Sequence, residues 1–331
     1  NVVMINTVEG NSIRYSQRDY SQAKLARKIQ QTIGRPSTKT FLSIVDNNLL
    51  QNCPITRADI IAAERIFGPD VGSLKGKTVR KTPSTVKIHM ADIPTSIISR
   101  YQKVTVSADI MFVNKIPFFV TISRHIKFGT AEFLTNQKTV SILKAIEHLH
   151  QTYLKRGFQI TILLMDGQFN KDNLDNEVAK LHISLNCVSA DEHVPEIERY
   201  IRTIKERARS VINTLPFTGY PCRMVIELIN YCLFWLNSFP ADGGVSNVLS
   251  PRTIITGTTI NYNNHCKLQY GTYVQTHEKH DNSMMPRTTG AIALRPTGNA
   301  QGGHYFYRLN TGKRLNRNQW TELPMPADAV Q

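Results

Sequence analysis

The 331-residue chain is 41% hydrophobic, enough to bury at least one full core and to fill two or three modules, which excludes a wholly disordered chain. No window approaches 18 consecutive apolar residues, and the opening NVVMINTVEGN lacks the charged and apolar regions of a signal peptide, so no membrane partner is expected. Forty Lys and Arg against 25 Asp and Glu give +15, and the excess sits at the ends. Residues 1–90 carry 14 basic and 6 acidic side chains, residues 91–244 carry 17 and 15, and residues 245–331 carry 9 and 4. Such charge suits a polyanion, whose condensed counterions are released on binding; an ordinary solvated basic surface is the alternative. The chain opens on Asn1 and not Met, which suggests a piece of a longer product. Cys53, Cys187, Cys222, Cys232 and Cys266 show no repeated short spacing, so free thiols are expected and neither a disulfide framework nor a paired-thiol zinc site is.

In chain order, SQAKLARKIQQTIG, closed by Gly34 and Pro36, and TRADIIAAERIFG, from Thr56 to Gly68 and Pro69, read as two short helices. The stretch LKGKTVRKTPSTVK, with Lys75, Lys77, Arg80, Lys81 and Lys87, suits a basic linker running along DNA or a solvated one. KVTVSADIMFV and FFVTISR are β-rich runs separated by Asn114 to Pro117, the punctuation of a hairpin. KTVSILKAIEHLHQTYLKRG sets Ile142, Ile146, Leu149 and Tyr153 at helical spacing. FQITILLMD is a continuous apolar run of the kind buried on both faces of a sheet, and it ends in Asp166. Strand, strand, helix, strand is the order of a mixed sheet with crossover helices. NLDNEVAKLHIS and EIERYIRTIKERARSVIN read as further helices, and RMVIELINYCLFWLNSF as a long apolar one that packs or dimerises. From about residue 250 short alternating runs (GTYVQT, GAIALRP, HYFYRL) predict a small β-barrel or sheet.

Three carboxylates carry the candidate chemistry. Asp109 lies inside an apolar strand, where an unpaired carboxylate is costly to bury, so it needs a cation or a cleft, unless it is an edge residue facing water. Asp166 ends a buried strand, the end at which open α/β sheets bind ligands; a structural cap is the other reading. On a helical wheel Ile197, Ile201, Ile204, Ala208, Val211 and Ile212 form a core stripe, and Glu198, Arg202, Lys205 and Arg209 group within about 60° on the adjoining face. That grouping suits a metal ligand beside residues that grip a DNA backbone, or a solvated face held by Glu198–Arg202 pairing. Three acids around Mg²⁺ or Mn²⁺ suit phosphoryl transfer. His148 and His150, or His277 and His280, have no thiol partners at zinc-finger spacing and read as surface histidines. No G-x-S-x-G elbow and no G-x-x-x-x-G-K-[ST] phosphate loop is present.

With VSADIMFV around Asp109, LLMDGQF around Asp166, VPEIERYIRTIKERAR around Glu198 and the later LSPRTIITG in view, the chain resembles integrases of copia-type retrotransposons, members of the DDE group with an RNase H-like core, cut from a Pol polyprotein. The glutamate-then-arginine pattern followed by an arginine–threonine pair selects Glu198 over Glu196. The resemblance implies a helical pre-integrase-like module at 1–75, a basic linker at 76–98, an RNase H-like catalytic core at 99–245 and a β-rich DNA-binding module at 246–331. It also implies Mg²⁺ or Mn²⁺ held by Asp109, Asp166 and Glu198. Asp109 would bridge the metals, Asp166 and Glu198 would complete one site each, and Arg202, Lys205 and Arg209 would contact phosphates, with Lys75, Lys77, Arg80 and Lys81 also on DNA. The implied reaction is 3′-end processing followed by strand transfer of element DNA into target DNA. Expected partners are both DNAs, further copies of the chain, and polyprotein products such as reverse transcriptase. A nuclear destination after cytoplasmic synthesis is inferred from that function. Two departures stand out. The family's upstream module binds zinc through two histidines and two cysteines, whereas here Cys53 stands with no histidine before His89, so zinc is not expected. The family's D-N-G-G-E-F turn is shortened to Asp166–Gly167–Gln168–Phe169. A non-catalytic relic that binds nucleic acid or self-associates, and an RNase H-type nuclease, are the rival readings.

Overall fold

The computed structural model describes residues 5–83, 85–86, 90–166, 169, 174–187, 194–279, 281 and 283–330. The chain opens with five helices, α1 (Val8–Ser12), α2 (Gln17–Thr32), α3 (Thr38–Asp46), α4 (Arg57–Phe67) and α5 (Val71–Lys77). Side-chain caps set their starts: the Ser16 hydroxyl accepts from Asp19 N at 3.1 Å and so begins α2 a turn earlier than Ser21 would. Thr56 and Asp59 form a capping box on α4. Ala23, Ala26, Phe41, Ile60, Ala63 and Ile66 make the small core of this unit. The nearly buried Arg27 donates to the carbonyls of Ala63 and Gly68 and pairs with Glu64 at 3.2 Å.

After α6 (Thr95–Tyr101) come β1 (Lys103–Val113), β2 (Ile116–Ser123), β3 (Gly129–Phe133), α7 (Thr139–Leu154), β4 (Gln159–Met165), α8 (Leu174–Ala179) and β5 (Ser184–Cys187). The strand order is β3-β2-β1-β4-β5, with β1, β2 and β3 antiparallel and β1, β4 and β5 parallel. That is an RNase H-like mixed sheet. Asn114 and Lys115, at φ 48° and 64°, close the β1–β2 hairpin in two residues, the primed-turn geometry that matches strand twist; Pro117 lies inside β2, opposite Phe112. One face of the sheet packs Val104, Val106, Ala108 and Phe119 against Ile142, Ile146, Leu149 and Tyr153 of α7. The other face packs Met111, Phe118, Val120 and Ile122 beneath α9 (Pro195–Ile212) and α10 (Cys222–Leu236).

One expectation is corrected here, and one pair of alternatives is narrowed. β4 is not buried on both faces, because α9 lies over β1 and β2, and Ile162 on its side of β4 is 38% exposed. Of the two readings of α10, packing is the one the fold uses: Met224, Val225, Leu228, Ile229, Cys232 and Leu233 are all buried within the chain, where the helix touches α9, β3 and the second sheet. An apolar stripe that wide needs cover on several sides, and one chain supplies it.

α11 (Pro251–Thr256), capped by Ser250, and α12 (Tyr262–His265) lead to the second sheet. Ile254 and Ile255 of α11 pack into the first core beside α7, so this part of the expected C-terminal module belongs physically to the core. β6 (Tyr273–His277), β7 (Thr288–Pro296), β8 (His304–Arg308), β9 (Arg314–Arg317) and β10 (Trp320–Glu322) form an antiparallel sheet in the order β10-β6-β7-β8-β9. Four strand spacings laid flat span about 19 Å, whereas the three peptide steps from Arg317 to Trp320 reach about 11 Å. The sheet therefore curls towards a barrel around Val274, Ala291, Ala293 and Phe306. The first and last described segments pair, with Val8 N donating to Met325 O at 3.0 Å and Met325 N to Asn6 O at 2.8 Å. All five cysteines are free. Among the described residues no helix is long and apolar enough to cross a membrane.

Glu227 joins the two sheets. Fully buried on α10, it accepts from Arg295 Nε at 2.9 Å and from Arg314 at 2.6 Å, and both guanidinium groups lie 4.5 Å from the Tyr305 ring centroid. Removing one partner of a buried ion pair strands the other charges, at a cost of about 3–5 kcal/mol. Glu227→Ala should lose stability on that scale in urea unfolding, and an apolar replacement of all three charged residues should recover much of it. In the second sheet, burial drives the His304 pKa down to about 4 from 6.5, opposed by the nearby Gly302 backbone and aided by Lys267 and His265. The unfolded chain then binds the extra proton first, so stability is full above pH 6.5 and falls as pH drops towards 4, by up to roughly 3 kcal/mol. Unfolding midpoints measured across that window should slope downwards, and His304→Phe should flatten the slope.

Candidate active site

Asp109 lies in β1 opposite Val120, and its side chain shares the face of Met111 and Val120, the face that α9 covers. It is half-buried, and its Oδ1 accepts from Ile110 N at 2.7 Å. Asp166 directly follows β4 and is also half-buried. The relation between the two comes from strand register. Val104 pairs with Ile160 and the next residue, Thr105, pairs with Ile162, so β4 carries one extra residue, Thr161. Without that bulge Asp109 would stand level with Met165, whose side chain is in the core beneath α7. With it, Ser107 pairs with Leu164, and two residues on Asp109 stands level with Asp166 on the α9 face. Neighbouring strands lie about 4.8 Å apart, so the two carboxylates emerge side by side at the C-terminal edge of the parallel strands. On the far side of Asp166 lies Cys187, whose thiol pKa is raised by burial and by the charges of Asp175 and Asp166.

The stripe of Ile197, Ile204 and Ala208 is buried, with Ile201, Val211 and Ile212 packed at its margin. The adjoining face carries Glu198, Arg202 and Arg209, all exposed, and Lys205, half-buried. Glu196 is turned away from them: it accepts from Lys127 Nζ at 2.6 Å and lies 3.7 Å from Arg124, both on the β2–β3 connection. It is committed to holding the first turn of α9 against the sheet edge.

Hard carboxylate oxygens are the donors that Mg²⁺ and Mn²⁺ prefer, and the two aspartates fit such an ion by type and by register. Among the described residues, however, no group of three or more His, Cys, Asp or Glu is gathered tightly enough to hold one. Glu198 stands on the correct face without closing a cluster, and residues 188–193, just before α9, lie outside the described residues, as do Gly167 and Gln168 of the shortened turn. The histidines set aside as surface residues divide. His148 is exposed and pairs with Glu132, whereas His150 is buried in α7, where burial and then His182 lower its pKa. His277 is half-buried, 3.1 Å from the Thr321 hydroxyl; His280 lies outside the described residues.

The basic segment is partly helical and runs along the second sheet. Lys75 and Lys77 end α5, the Lys75 carbonyl accepts from Arg287 N at 2.8 Å, Lys77 Nζ donates to the Arg35 carbonyl, and Lys81 N donates to Gln319 Oε1 at 2.8 Å. The ammonium groups of Lys75 and Lys81 stand on exposed residues, and Arg80 is half-buried. These hydrogen bonds reach the turn after α2 and the second sheet, whereas the three carboxylates stand on β1, at the end of β4 and on α9. A feature not foreseen from the sequence lies on the opposite flank of α9, where Arg199, Tyr200, Thr203 and Arg207 wall a cleft closed by Trp235 and Phe239. Spacing alone could have grouped Arg199, Thr203 and Arg207, but the aromatic wall comes from α10 and its C-terminal end.

No family model matches the chain, and no curated protein matches it in sequence. Among solved structures, the catalytic core domain of BIV integrase in crystal form I is similar over 46% of this chain and 92% of that chain, at 18% identity and a TM-score of 0.35. At that distance the likeness carries no argument about residues or reaction.

Proposed function

We propose that the chain is a DNA-joining enzyme of the copia-type integrase kind, released from a Pol polyprotein, that trims element DNA ends and transfers them into target DNA. The observation that carries this reading is the register that sets Asp109 and Asp166 level on the α9 face, with Glu198 and a row of cations on the helix above. In the reading, Asp109, Asp166 and Glu198 hold Mg²⁺ or Mn²⁺, which supplies activation of the attacking oxygen and stabilisation of the departing one. Arg202, Lys205 and Arg209 hold the phosphodiester backbone against the carboxylates, since charge on the backbone positions DNA without reading bases.

The bonds balance without an energy source. Water first breaks a phosphodiester near the element end and leaves a free 3′-hydroxyl. That hydroxyl then forms a new P–O bond with a target phosphate as the target's own P–O3′ bond breaks, its 3′ oxygen leaving with the proton. One phosphodiester replaces another, so a nucleotide-hydrolysing phosphate loop has no task here. Joining two ends needs two active sites, and we assign that requirement to an assembly of copies whose contacts lie elsewhere than the buried face of α10. The linker at 76–98 and the module at 246–331 act in this reading as DNA-holding parts beside a helical pre-integrase-like module at 1–75, and the chain works in the nucleus after cytoplasmic synthesis.

Strand transfer of a labelled element-end oligonucleotide into plasmid with Mg²⁺ or Mn²⁺ tests the reading. Asp109→Asn, Asp166→Asn and Glu198→Gln should each abolish joined product while the fold persists by circular dichroism. Full strand transfer by Glu198→Gln removes Glu198 from the site, and cutting without joining assigns a nuclease. A second reading, a DNA-binding relic, is favoured by the three carboxylates not gathering into one cluster; duplex binding with neither cutting nor joining would select it. Neutralising Lys75, Lys77, Arg80 and Lys81 together should flatten the salt dependence of duplex binding, by about 0.9 in log–log slope for each phosphate no longer neutralised. An unchanged slope takes the segment off the DNA.

A further inference from the structure

α9 presents three faces. With 3.6 residues per turn, the buried stripe faces the sheet, Glu198, Arg202, Lys205 and Arg209 occupy one flank, and Tyr200, Thr203 and Arg207 occupy the other, with Arg199 on the outer ridge between them. The second flank borders a cleft of about 830 Å³ whose opposite wall is the end of α10 and the chain just beyond it, through Trp235 and Phe239. These two rings are stacked, 13° from parallel with centroids 6.3 Å apart, and Phe239 is 56% exposed. A large aromatic face is thereby shown to solvent beside two arginines.

The cleft is held in shape by the fold. Asn237, buried just past α10, accepts from Gly129 N at 2.9 Å and donates to Gly129 O at 2.7 Å, which locks the start of β3 to the end of α10. Tyr200 seats its hydroxyl over that same glycine, where a Cβ would stand 2.0 Å from the oxygen, so the floor requires Gly129. Among the lining side chains Lys127 pairs with Glu196, and Arg199 and Arg207 stand against Asp242, which leaves the cleft with a small net positive charge. Positive groove walls beside an exposed aromatic platform are the two parts of sites that hold unpaired nucleotides, where a base stacks on the ring and its phosphate meets the cations.

We propose that this cleft binds an unpaired nucleotide of a single DNA strand, its base on the Phe239–Trp235 stack and its phosphates on Arg199 and Arg207. The proposal goes beyond the catalytic reading and does not rest on it, since no catalytic carboxylate takes part. It gives α9 two nucleic-acid flanks: one for the backbone at the carboxylates, one for a strand without a partner.

The chain has two tryptophans, Trp235 and Trp320, so full-length Trp320→Phe leaves Trp235 as the reporter. A short oligothymidylate should quench its fluorescence, and a blunt duplex of equal length should do so at least about tenfold less effectively, since stacking needs a free base face. Phe239→Ala and Arg207→Gln, both at exposed positions, should each weaken oligothymidylate binding about tenfold, and Arg207→Gln should lower the log–log salt slope by about 0.7. Anisotropy of a labelled oligothymidylate with the unsubstituted chain repeats the measurement without the tryptophan change. Asp166→Asn should leave this binding intact even where it abolishes joining, so either reading can fail alone. Undiminished binding in Phe239→Ala and Arg207→Gln, equal quenching by duplex, or displacement of the oligonucleotide by polyglutamate at lower concentration than by DNA would overturn the proposal.

Discussion

A single extra residue in β4 decides on which face of the sheet Asp166 stands. Side chains alternate faces along a strand, so a one-residue change of register moves every later side chain to the opposite face. Thr161 is that residue, and bulges in parallel pairs are rare. Before it, β4 would have sent Asp166 into the α7 core, where a carboxylate has no water and no cation. After it, Asp166 stands beside Asp109 on the face that α9 only partly roofs. The exposure of Ile162 marks a part of that face left open, four residues back along β4 from Asp166. Sheet, bulge and helix together set the two aspartates side by side on a half-covered face of the sheet.

The second constraint is a buried anion. Glu227 would be untenable on α10 alone, and Arg295 and Arg314 reach it from the second sheet. Whatever the net energy of such a pair, its members cannot separate without exposing an uncompensated charge to an apolar surrounding. The second sheet is therefore fixed in orientation on the core. The apolar stripe of α10 is filled on its other sides by α9, β3 and the first sheet. Most of α10 is so enclosed, although its sequence, read alone, invites a second copy; its C-terminal end, through Trp235, borders the open cleft.

Much of this was legible in the residues and some was not, for physical reasons. The spacing of Ile142, Ile146, Leu149 and Tyr153 announces α7, and all four are buried as a helical face predicts. The aspartates inside and at the end of apolar runs stand out because burying them is costly. β3 and β5 escaped because GTAEF and SLNC are short, and what makes them strands is the neighbour they pair with. α3 escaped because only Phe41 of its apolar residues is fully buried. β4 looked two-faced because its composition cannot tell that α9 lies over β1 and β2 instead. The bulge at Thr161 has no compositional sign at all, although it sets the face of Asp166.

α9 shows how one sequence can carry several tasks at once. Its isoleucines anchor it, and that anchoring fixes the azimuth of every other side chain on it. Glu196, two residues from Glu198, is turned by that azimuth to the opposite side and is spent on Lys127 and Arg124, which pins the first turn of the helix. The helix is strongly basic beyond that turn: Arg202, Lys205 and Arg209 follow at three- and four-residue steps on one flank, Arg207 stands on the other, and Arg199, three residues from Arg202, lies on the outer ridge between them. Arg202 and Arg209 therefore cannot take the place of Arg207 unless the helix turns and unseats its buried stripe. A rotation of α9 about its axis would disturb both flanks and the core together, so the position of Glu198 and the shape of the aromatic cleft are coupled through one rigid element.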